Sequence, residues 1–426
     1  MAYVDSPNDI PNLYPPIFNP ETQAQEIQEY LAAEGYVAVQ VTTADEARAR
    51  YCEFWTFLEN LGSGISRSDP STWDKASTWP QQTRGIIFGY GVGQADFAWK
   101  ARTNANVVKV FADLWSVPET KLLTSFDGAN MYPNPRYAYN GEGEGEDFAQ
   151  AMESKTIKTS SEVMEDRDIP VKVAVIDQAP LLPASIHTGV DKLGLVHTAG
   201  RYRMWPHRDQ RPSQQERVCV QGLYNMLPNT SPADGGLVVY PRTHTIDWTE
   251  RYVKAKTSGD WYVVPTDAPE VDPKNAAVLR TPAGCLLLWD SRLIHCNRPP
   301  TVQGRTRAVS YICMLPKGNT TRSVMTQRQK LYSTFRTTTH WPYPVTANNE
   351  DFSSNKIKPE DVMKRLAKTK PFGLDDPMVR SLLVDYNKGP YVNLCRSAAH
   401  GKVMEMKHGH KKDFLVANSD RLVAYV

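Results

Sequence analysis

Arg203-Met204-Trp205-Pro206-His207-Arg208-Asp209-Gln210 leads into Arg217-Val218-Cys219-Val220-Gln221-Gly222-Leu223-Tyr224, and the reading of this stretch governs the rest of the chain. Its second part is patterned as a strand. In an extended segment side chains two apart share a side, so His207 and Asp209 reach toward one point. Further on, Ala283-Gly284-Cys285-Leu286-Leu287-Leu288-Trp289-Asp290 is an apolar run that reads as a buried strand, and Ser291-Arg292-Leu293-Ile294-His295 puts a histidine just past its end. Two imidazoles and one carboxylate are the side chains that hold a non-haem ferrous ion on one face and leave the opposite positions open. A bare His-x-Asp is common by chance, so His207 and Asp209 gain meaning only from this context.

A third strand adds to it. In Arg305-Thr306-Arg307-Ala308-Val309-Ser310-Tyr311-Ile312-Cys313-Met314 the side chains of Arg305, Arg307 and Val309 share one face. A guanidinium near a metal pocket clamps a carboxylate through paired hydrogen bonds, as an oxo-acid co-substrate requires at its far end. Arg307 is the preferred clamp, while Arg305, nearer the turn, frames the entrance or meets solvent.

With these residues in view the chain resembles the phytanoyl-CoA dioxygenase-like branch of the iron(II)- and 2-oxoglutarate-dependent oxygenases. The matching residues are His207-x-Asp209-Gln210, Cys219-Val220-Gln221-Gly222, Gly235-Gly236-Leu237-Val238-Val239 before Arg242-Thr243-His244, His295, and Arg307-Ala308-Val309-x-Tyr311-x-Cys313-Met314-x-Pro316, in family order over about half the chain. The resemblance implies a mainly β fold with flanking helices (α+β) around a double-stranded β-helix, a cupin-like jelly-roll. It implies Fe(II) on His207, Asp209 and His295, 2-oxoglutarate held through Arg307, and dioxygen at the remaining position. It implies hydroxylation of a C–H bond, with 2-oxoglutarate converted to succinate and carbon dioxide; it does not name the substrate, and a small-molecule metabolite is the first choice on the near-balanced charge. The carboxylate of Asp209 favours hydroxylation over halogenation, and desaturation or ring formation would use the same ligands.

Gln221, Asn225 and Asn297 are candidate polar neighbours of the co-substrate, alongside Arg305. Trp205, Gln210, His340 and Trp341 are candidates for the substrate side, and His244 is expected near the pocket without binding metal. Ser66-Arg67-x-Asp69-Pro70-x-Thr72-Trp73, Ser125-Phe126-Asp127-Gly128 and Thr337-Thr338-Thr339-His340-Trp341-Pro342 also look like a recurrent subset of the family, expected to shape a substrate pocket, and no residue role is carried over for them.

Composition bounds the alternatives. With 426 residues, 41% of them apolar, the chain can bury a large core. Lys+Arg of 49 against Asp+Glu of 47 leave a formal charge of +2, so no global field marks nucleic acid or an anionic membrane as partner. No segment sustains the ~20 apolar residues that span a bilayer, and the first residues lack a secretory pattern, which leads to the expectation of a cytoplasmic protein. Its six cysteines show no zinc or disulfide spacing, and Cys219, Cys285 and Cys313 read as small core residues.

Along the chain the reading separates an extended proline-rich arm (1–20), a helical, aromatic-loop part packed on the core (21–170), a double-stranded β-helix core (171–317) and a carboxy-terminal extension covering it (318–426). Residues 45–58 and 106–115 carry apolar stripes at helical spacing, and 325–335 and 358–368 also read as helices. Residues 246–275, with Trp248, Tyr252, Trp261 and Tyr262, read as an insertion in the core that either helps bind substrate or packs on the surface. The run Gly141-Glu142-Gly143-Glu144-Gly145-Glu146 reads as a surface loop, and 402–412, with His408-x-His410, as a solvated basic face.

Three rival readings stay open at this level. The barrel serves as a non-catalytic binder of a small acid; it oxidises a nucleic-acid base or a protein side chain; or it holds zinc or manganese, which take the same ligands. The number of subunits is not legible.

Overall fold

The computed structural model describes residues 3–4, 10–69, 72–73, 79–80, 82–133, 202–211, 214–247, 260–265, 267–300, 304–348, 377–383, 393–396 and 403–406. Two mixed sheets carry the architecture. The larger contains, side by side, β3 (Ile17–Phe18), β4 (Tyr36–Gln40), β15 (Cys285–Asp290), β11 (Val220–Asn225), β17 (Arg307–Pro316), β8 (Ala129–Tyr132), β6 (Ile86–Ile87) and β5 (Gln82–Thr83), with β7 (Leu122–Thr124) on the far end of β17. The smaller contains β13 (Tyr262–Val263), β10 (His207–Arg208), β16 (His295–Arg298), β12 (Gly236–Val239), β14 (Ala277–Leu279) and β2 (Asn12–Leu13). Two short antiparallel pairs lie outside them, β1 (Tyr3–Val4) with β9 (Tyr202–Arg203) and β18 (Asn393–Arg396) with β19 (Val403–Met406). The chain passes repeatedly between the sheets: β8, β11, β15 and β17 lie in the larger and β10, β12, β14 and β16 in the smaller, with β12, β13 and β14 successive in the smaller.

Alternation along each strand sorts side chains into layers. On β15, Cys285, Leu287 and Trp289 join a cluster with Leu237, Val239 and Leu279 of the smaller sheet, so this face lies between the sheets. Leu286 and Leu288 point the other way, into the core beneath the helices. On β17, Val309 and Tyr311 belong to the first cluster and Ala308, Ile312 and Met314 to the second. The outer face of the smaller sheet is closed by Met204, Val238, Tyr240, Tyr262, Val278 and Ile294.

The helices follow their local signals. Helix α1 (Ala24–Glu34) ends at Gly35, whose left-handed φ of 84° is open to glycine, and whose missing Cβ leaves room for His244 and Leu293. Helix α2 (Ala44–Asn60) starts with a reciprocal Thr43–Glu46 capping box and buries Ala47, Tyr51, Phe54, Trp55 and Leu58, as its stripe predicts. Helices α3 (Asp96–Arg102) and α4 (Ala105–Trp115) pack beside it, α4 through Val107, Val110, Phe111 and Leu114. Helices α5 (Arg322–Ser333) and α6 (Pro377–Leu383) follow among the described residues, α5 starting three residues earlier and ending two earlier than the expected 325–335. Among the described residues no helix is long and apolar enough to cross a membrane.

Within the basic run at 402–412, Val403–Met406 pairs as a strand with Asn393–Arg396. Residues 141–146, 171–201, 358–368 and the His408-x-His410 pair lie outside the described residues.

Candidate metal centre

β10 and β16 are antiparallel neighbours, and their register sets His207 opposite His295. Side chains opposite one another across such a pair project from the same face, and the two rings lie 4.3 Å apart between centroids. Asp209 follows β10 directly and turns its carboxylate to both rings: Oδ2 is 3.8 Å from Nε2 of His207 and 3.4 Å from Nε2 of His295. One ligand atom from each of the three residues falls within 4.8 Å of the others.

The unused ring nitrogens are tied down in the same way. Nδ1 of His207 lies 3.1 Å from the Trp205 carbonyl oxygen, and Nδ1 of His295 lies 3.0 Å from that of Leu293. A carbonyl only accepts, so the proton sits on Nδ1 and both Nε2 lone pairs turn toward Asp209. Burial, with His295 beside it, holds the His207 ring down to about 3, so it is neutral at physiological pH. Burial works against the Asp209 charge, but the surrounding His207, His295 and His340 rings outweigh it and hold the carboxylate below its usual range. Gln221 Nε2 donates to Asp209 Oδ2 at 2.8 Å and orients it. Two imidazoles whose Nδ1 atoms are anchored to carbonyls, with a carboxylate between their Nε2 atoms, form a donor set that fits a divalent first-row metal.

Trp205 stacks on His207 with ring centroids 4.3 Å apart and planes 7° apart, and the Arg84 guanidinium lies 4.2 Å from the Trp205 ring centre. Trp289 flanks His295 at 5.1 Å. On the rim, Trp261 is 53% exposed although its ring lies 6.1 Å from His207. Its place beside the edge strand β13 brings the segment read as an insertion to the site.

Arg307 is buried on the face of β17 that also carries Val309 and Tyr311. Its two terminal nitrogens donate to different carboxamides, one to Asn130 Oδ1 and the other to Asn297 Oδ1 at 2.9 Å. Asn297 Nδ2 in turn donates to the Tyr311 hydroxyl at 2.8 Å, which leaves the phenol proton free for another acceptor. Burial raises the Tyr311 phenol above its ordinary range, so it keeps that proton. These hydrogen-bond partners of the guanidinium are neutral. Among the described residues no carboxylate pairs with it, and a buried cation so placed is poised for an anion.

Four expected site residues sit differently. Arg305 grips Asp234 with main-chain nitrogen, Nε and Nη2 and reaches Thr230, so its charge is spent on the 230–234 turn. Asn225 shares the face of Gln221, but four residues on, ~13 Å along the strand, and there it bonds Thr281 at 2.6 Å and Asn229. Gln210 is consumed by the loop behind the ligands, donating to the carbonyls of Gln214 and Glu216 and accepting from Ser291. Trp341 packs against Cys219, Cys313 and Leu315. His244 donates to or accepts nothing at the site, since its Nε2 lies 2.9 Å from the Ala32 carbonyl of α1. Asn130 is the partner that the sequence reading missed: the signal is one carboxamide in the fully buried strand Ala-Asn-Met-Tyr, and its meaning appears only when β8 pairs with β17.

No protein-family model matches the chain. It is similar to Ava biosynthesis cluster protein O of Aspergillus versicolor, 24% identical over 347 residues that cover 76% of this chain and 89% of that protein. Among solved structures it is similar to ThoJ, described as a non-heme monooxygenase (12% identity, 69% of this chain and 81% of that one, TM-score 0.36). It is also similar to the epimerase SnoN in complex with Fe3+, alpha ketoglutarate and nogalamycin RO (12%, 70% and 84%, TM-score 0.38), and to a putative oxidoreductase from Salmonella typhimurium LT2 (12%, 78% and 80%, TM-score 0.43).

Proposed function

We propose that this chain is an Fe(II)- and 2-oxoglutarate-dependent dioxygenase that hydroxylates a C–H bond of a small-molecule metabolite. The observation that carries the reading is the convergence of His207, Asp209 and His295 with both Nδ1–H groups anchored and both Nε2 atoms facing the carboxylate. The crossing of β8, β10 to β12 and β14 to β17 between two sheets supports a double-stranded β-helix of the jelly-roll kind, the fold expected from the phytanoyl-CoA dioxygenase-like resemblance. The proposal includes the division of the chain into arm (1–20), amino-terminal part (21–170), core (171–317) and covering extension (318–426), with the amino-terminal part lending β4 to β8 to the larger sheet.

In this reading His207, Asp209 and His295 would hold iron, which together with 2-oxoglutarate and dioxygen would supply the oxidising power, 2-oxoglutarate leaving as succinate and carbon dioxide. Arg307, fixed in plane by Asn130 and Asn297, holds the distal carboxylate through its remaining N–H groups, and the Tyr311 hydroxyl donates a further hydrogen bond. Gln221 keeps Asp209 turned to the metal through its hydrogen bond to Oδ2. Trp205 and Trp289 immobilise the two rings and keep water from their faces. Trp261, on the rim, meets the substrate's apolar surface. The relative from a biosynthesis cluster supports a small-molecule substrate, and the near-balanced charge favours it over a nucleic acid.

Anaerobic addition of iron(II) and 2-oxoglutarate to the purified chain is expected to give a weak visible charge-transfer absorption, followed in air by succinate. Asp209→Ala is expected to abolish the band and to lower succinate formation by more than the ~10–100-fold that losing a mere outer partner of a ligand costs. A wild-type chain that binds iron without this absorption, or makes no succinate, overturns the proposal. Untargeted metabolite profiling with the complete system then identifies the oxidised compound.

A further inference from the structure

The hairpin of β5 and β6 turns on two residues with left-handed backbone, Arg84 at φ 52° and Gly85 at φ 75°. Such a pair makes the tight turn that matches the twist of a hairpin, and asparagine or glycine is the usual first residue. Arginine there costs conformational energy that glycine would avoid. The turn is locked onto β8. The Arg84 carbonyl accepts from Asn130 Nδ2 at 3.0 Å and from the Tyr132 hydroxyl, and the Gly85 carbonyl accepts the Met131 N–H at 2.9 Å. A Cβ on Gly85 would lie 2.7 Å from the Tyr132 ring. Asn130 is also the residue whose Oδ1 meets Arg307, so one carboxamide fixes both the clamp and the turn.

What the turn places is the half-buried Arg84 side chain. Its guanidinium carbon lies 4.2 Å from the centre of the Trp205 ring, and that ring stacks on His207 at 4.3 Å with planes 7° apart. Both contacts share Trp205, so the cation stands no farther from the His207 ring than those two lengths laid end to end. A guanidinium over an indole is held in place without being neutralised. Among the described residues no carboxylate, carbonyl or hydroxyl accepts from the Arg84 guanidinium. Arg67, Arg242, Arg292 and Arg305, by contrast, each meet an acidic partner. Trp205 adds a second unmatched donor, since its indole N–H is shut off from solvent and has no acceptor among the described residues. A buried donor so left costs free energy and calls for an acceptor.

We propose that Arg84, with the Trp205 indole N–H, is a second anion site beside the metal centre, and that it takes a carboxylate or phosphate of the substrate. The site rests on the function proposed above and names the substrate class: an acidic small molecule with its anion on Arg84. The paired N–H donors of a guanidinium match two oxygens of either group. The buried Arg307 serves the co-substrate and the half-buried Arg84 the substrate, which divides two acids between two cations by depth. Anchoring the substrate at its anion decides which C–H bond faces the metal.

The test uses the full chain loaded anaerobically with iron(II) and saturating 2-oxoglutarate, so that Arg307 is occupied, and calorimetric titration with naphthylacetate, naphthyl phosphate and the neutral naphthylacetamide. Wild type is expected to bind at least one of the anions ~10-fold or more tighter than the amide, the size of a hydrogen bond to a charged group. The tighter of the two anions tells which acid the substrate carries. Arg84→Met keeps the side-chain length and leaves the main-chain bonds of the turn in place. It is expected to bring the anions down to the amide, with amide binding and the visible absorption unchanged, a charge-specific loss that a structural role would not produce. Arg84→Lys, which keeps the charge but not the paired donors, is expected to restore part of the preference. Equal binding of all three probes by wild type overturns the site, as does a preference that survives intact in Arg84→Met. A fall in 2-oxoglutarate affinity in Arg84→Met with the anion preference kept also overturns it, because Arg84 would then serve the co-substrate. Absence of the visible absorption in the loaded wild type would instead overturn the iron reading beneath it.

Discussion

Where two ring protons sit decides what His207 and His295 can do. Because each Nδ1–H is held by a carbonyl two residues back, each Nε2 is left as a lone pair, and the structure spends nothing on turning the rings when a metal arrives. The same burial sets a pH dependence. His207 titrates near 6.5 in an unfolded chain and at about 3 in the folded one, so below pH 6.5 the unfolded state binds the extra proton. Stability of the metal-free chain is therefore expected to fall as pH drops from about 6.5 toward 3, by at most ~1.4 kcal/mol per pH unit from this residue. Denaturant unfolding at several pH values checks it, and His207→Asn should flatten the slope. At the clamp, Asn130→Ala removes one neutral partner of Arg307. It is expected to raise the KM for 2-oxoglutarate ~10-fold with a smaller change in kcat, whereas Arg307→Met should raise it ~100-fold. Steady-state kinetics on succinate formation separates the two parameters.

At the scale of elements, register does the work that side-chain identity cannot. A slip of one residue between β10 and β16 would turn His207 away from His295, and the packing of Leu287 and Trp289 against Leu237 and Leu279 holds the sheets that prevent it. Leu287→Ala is expected to cost ~2–5 kcal/mol in unfolding free energy, measured by the denaturant midpoint, since it empties the space between two sheets. The turns at 126 and 338 depend on a hydroxyl instead. Thr338→Val leaves the Phe126 N–H buried without an acceptor, with an expected loss of ~1–3 kcal/mol in the same measurement.

For the whole molecule, the ligands of the metal come from two chain regions that meet only in the folded state, so metal binding and folding are linked. Iron(II) and 2-oxoglutarate, each at a hundredfold excess over its dissociation constant, should add ~2.7 kcal/mol apiece to stability. Anaerobic calorimetry is expected to show a higher Tm with both, a return to the starting value on chelation, and no gain for Asp209→Ala. The first residues also belong to this scale: β2 lies parallel to β14 in the smaller sheet and β3 parallel to β4 in the larger, so the arm ties both sheets together.

The metal cluster was legible in the chain itself, because alternation along a strand and an apolar run before His295 are local patterns, and local patterns survive without knowledge of what packs on them. The stripes of α2 and α4 were legible for the same reason. Arg305 shares a face with Arg307, and Asn225 with Gln221, by alternation, yet Arg305 is held by Asp234 and Asn225 by Thr281, partners 71 and 56 residues away. Asn130 and Arg84 carried no periodic signal at all. Sequence by itself determined the kinds of donor atom and their spacing; only the tertiary structure decided which of them face one another, because pairing between distant strands and turns is set by the packing of two sheets and not by any residue's own preference.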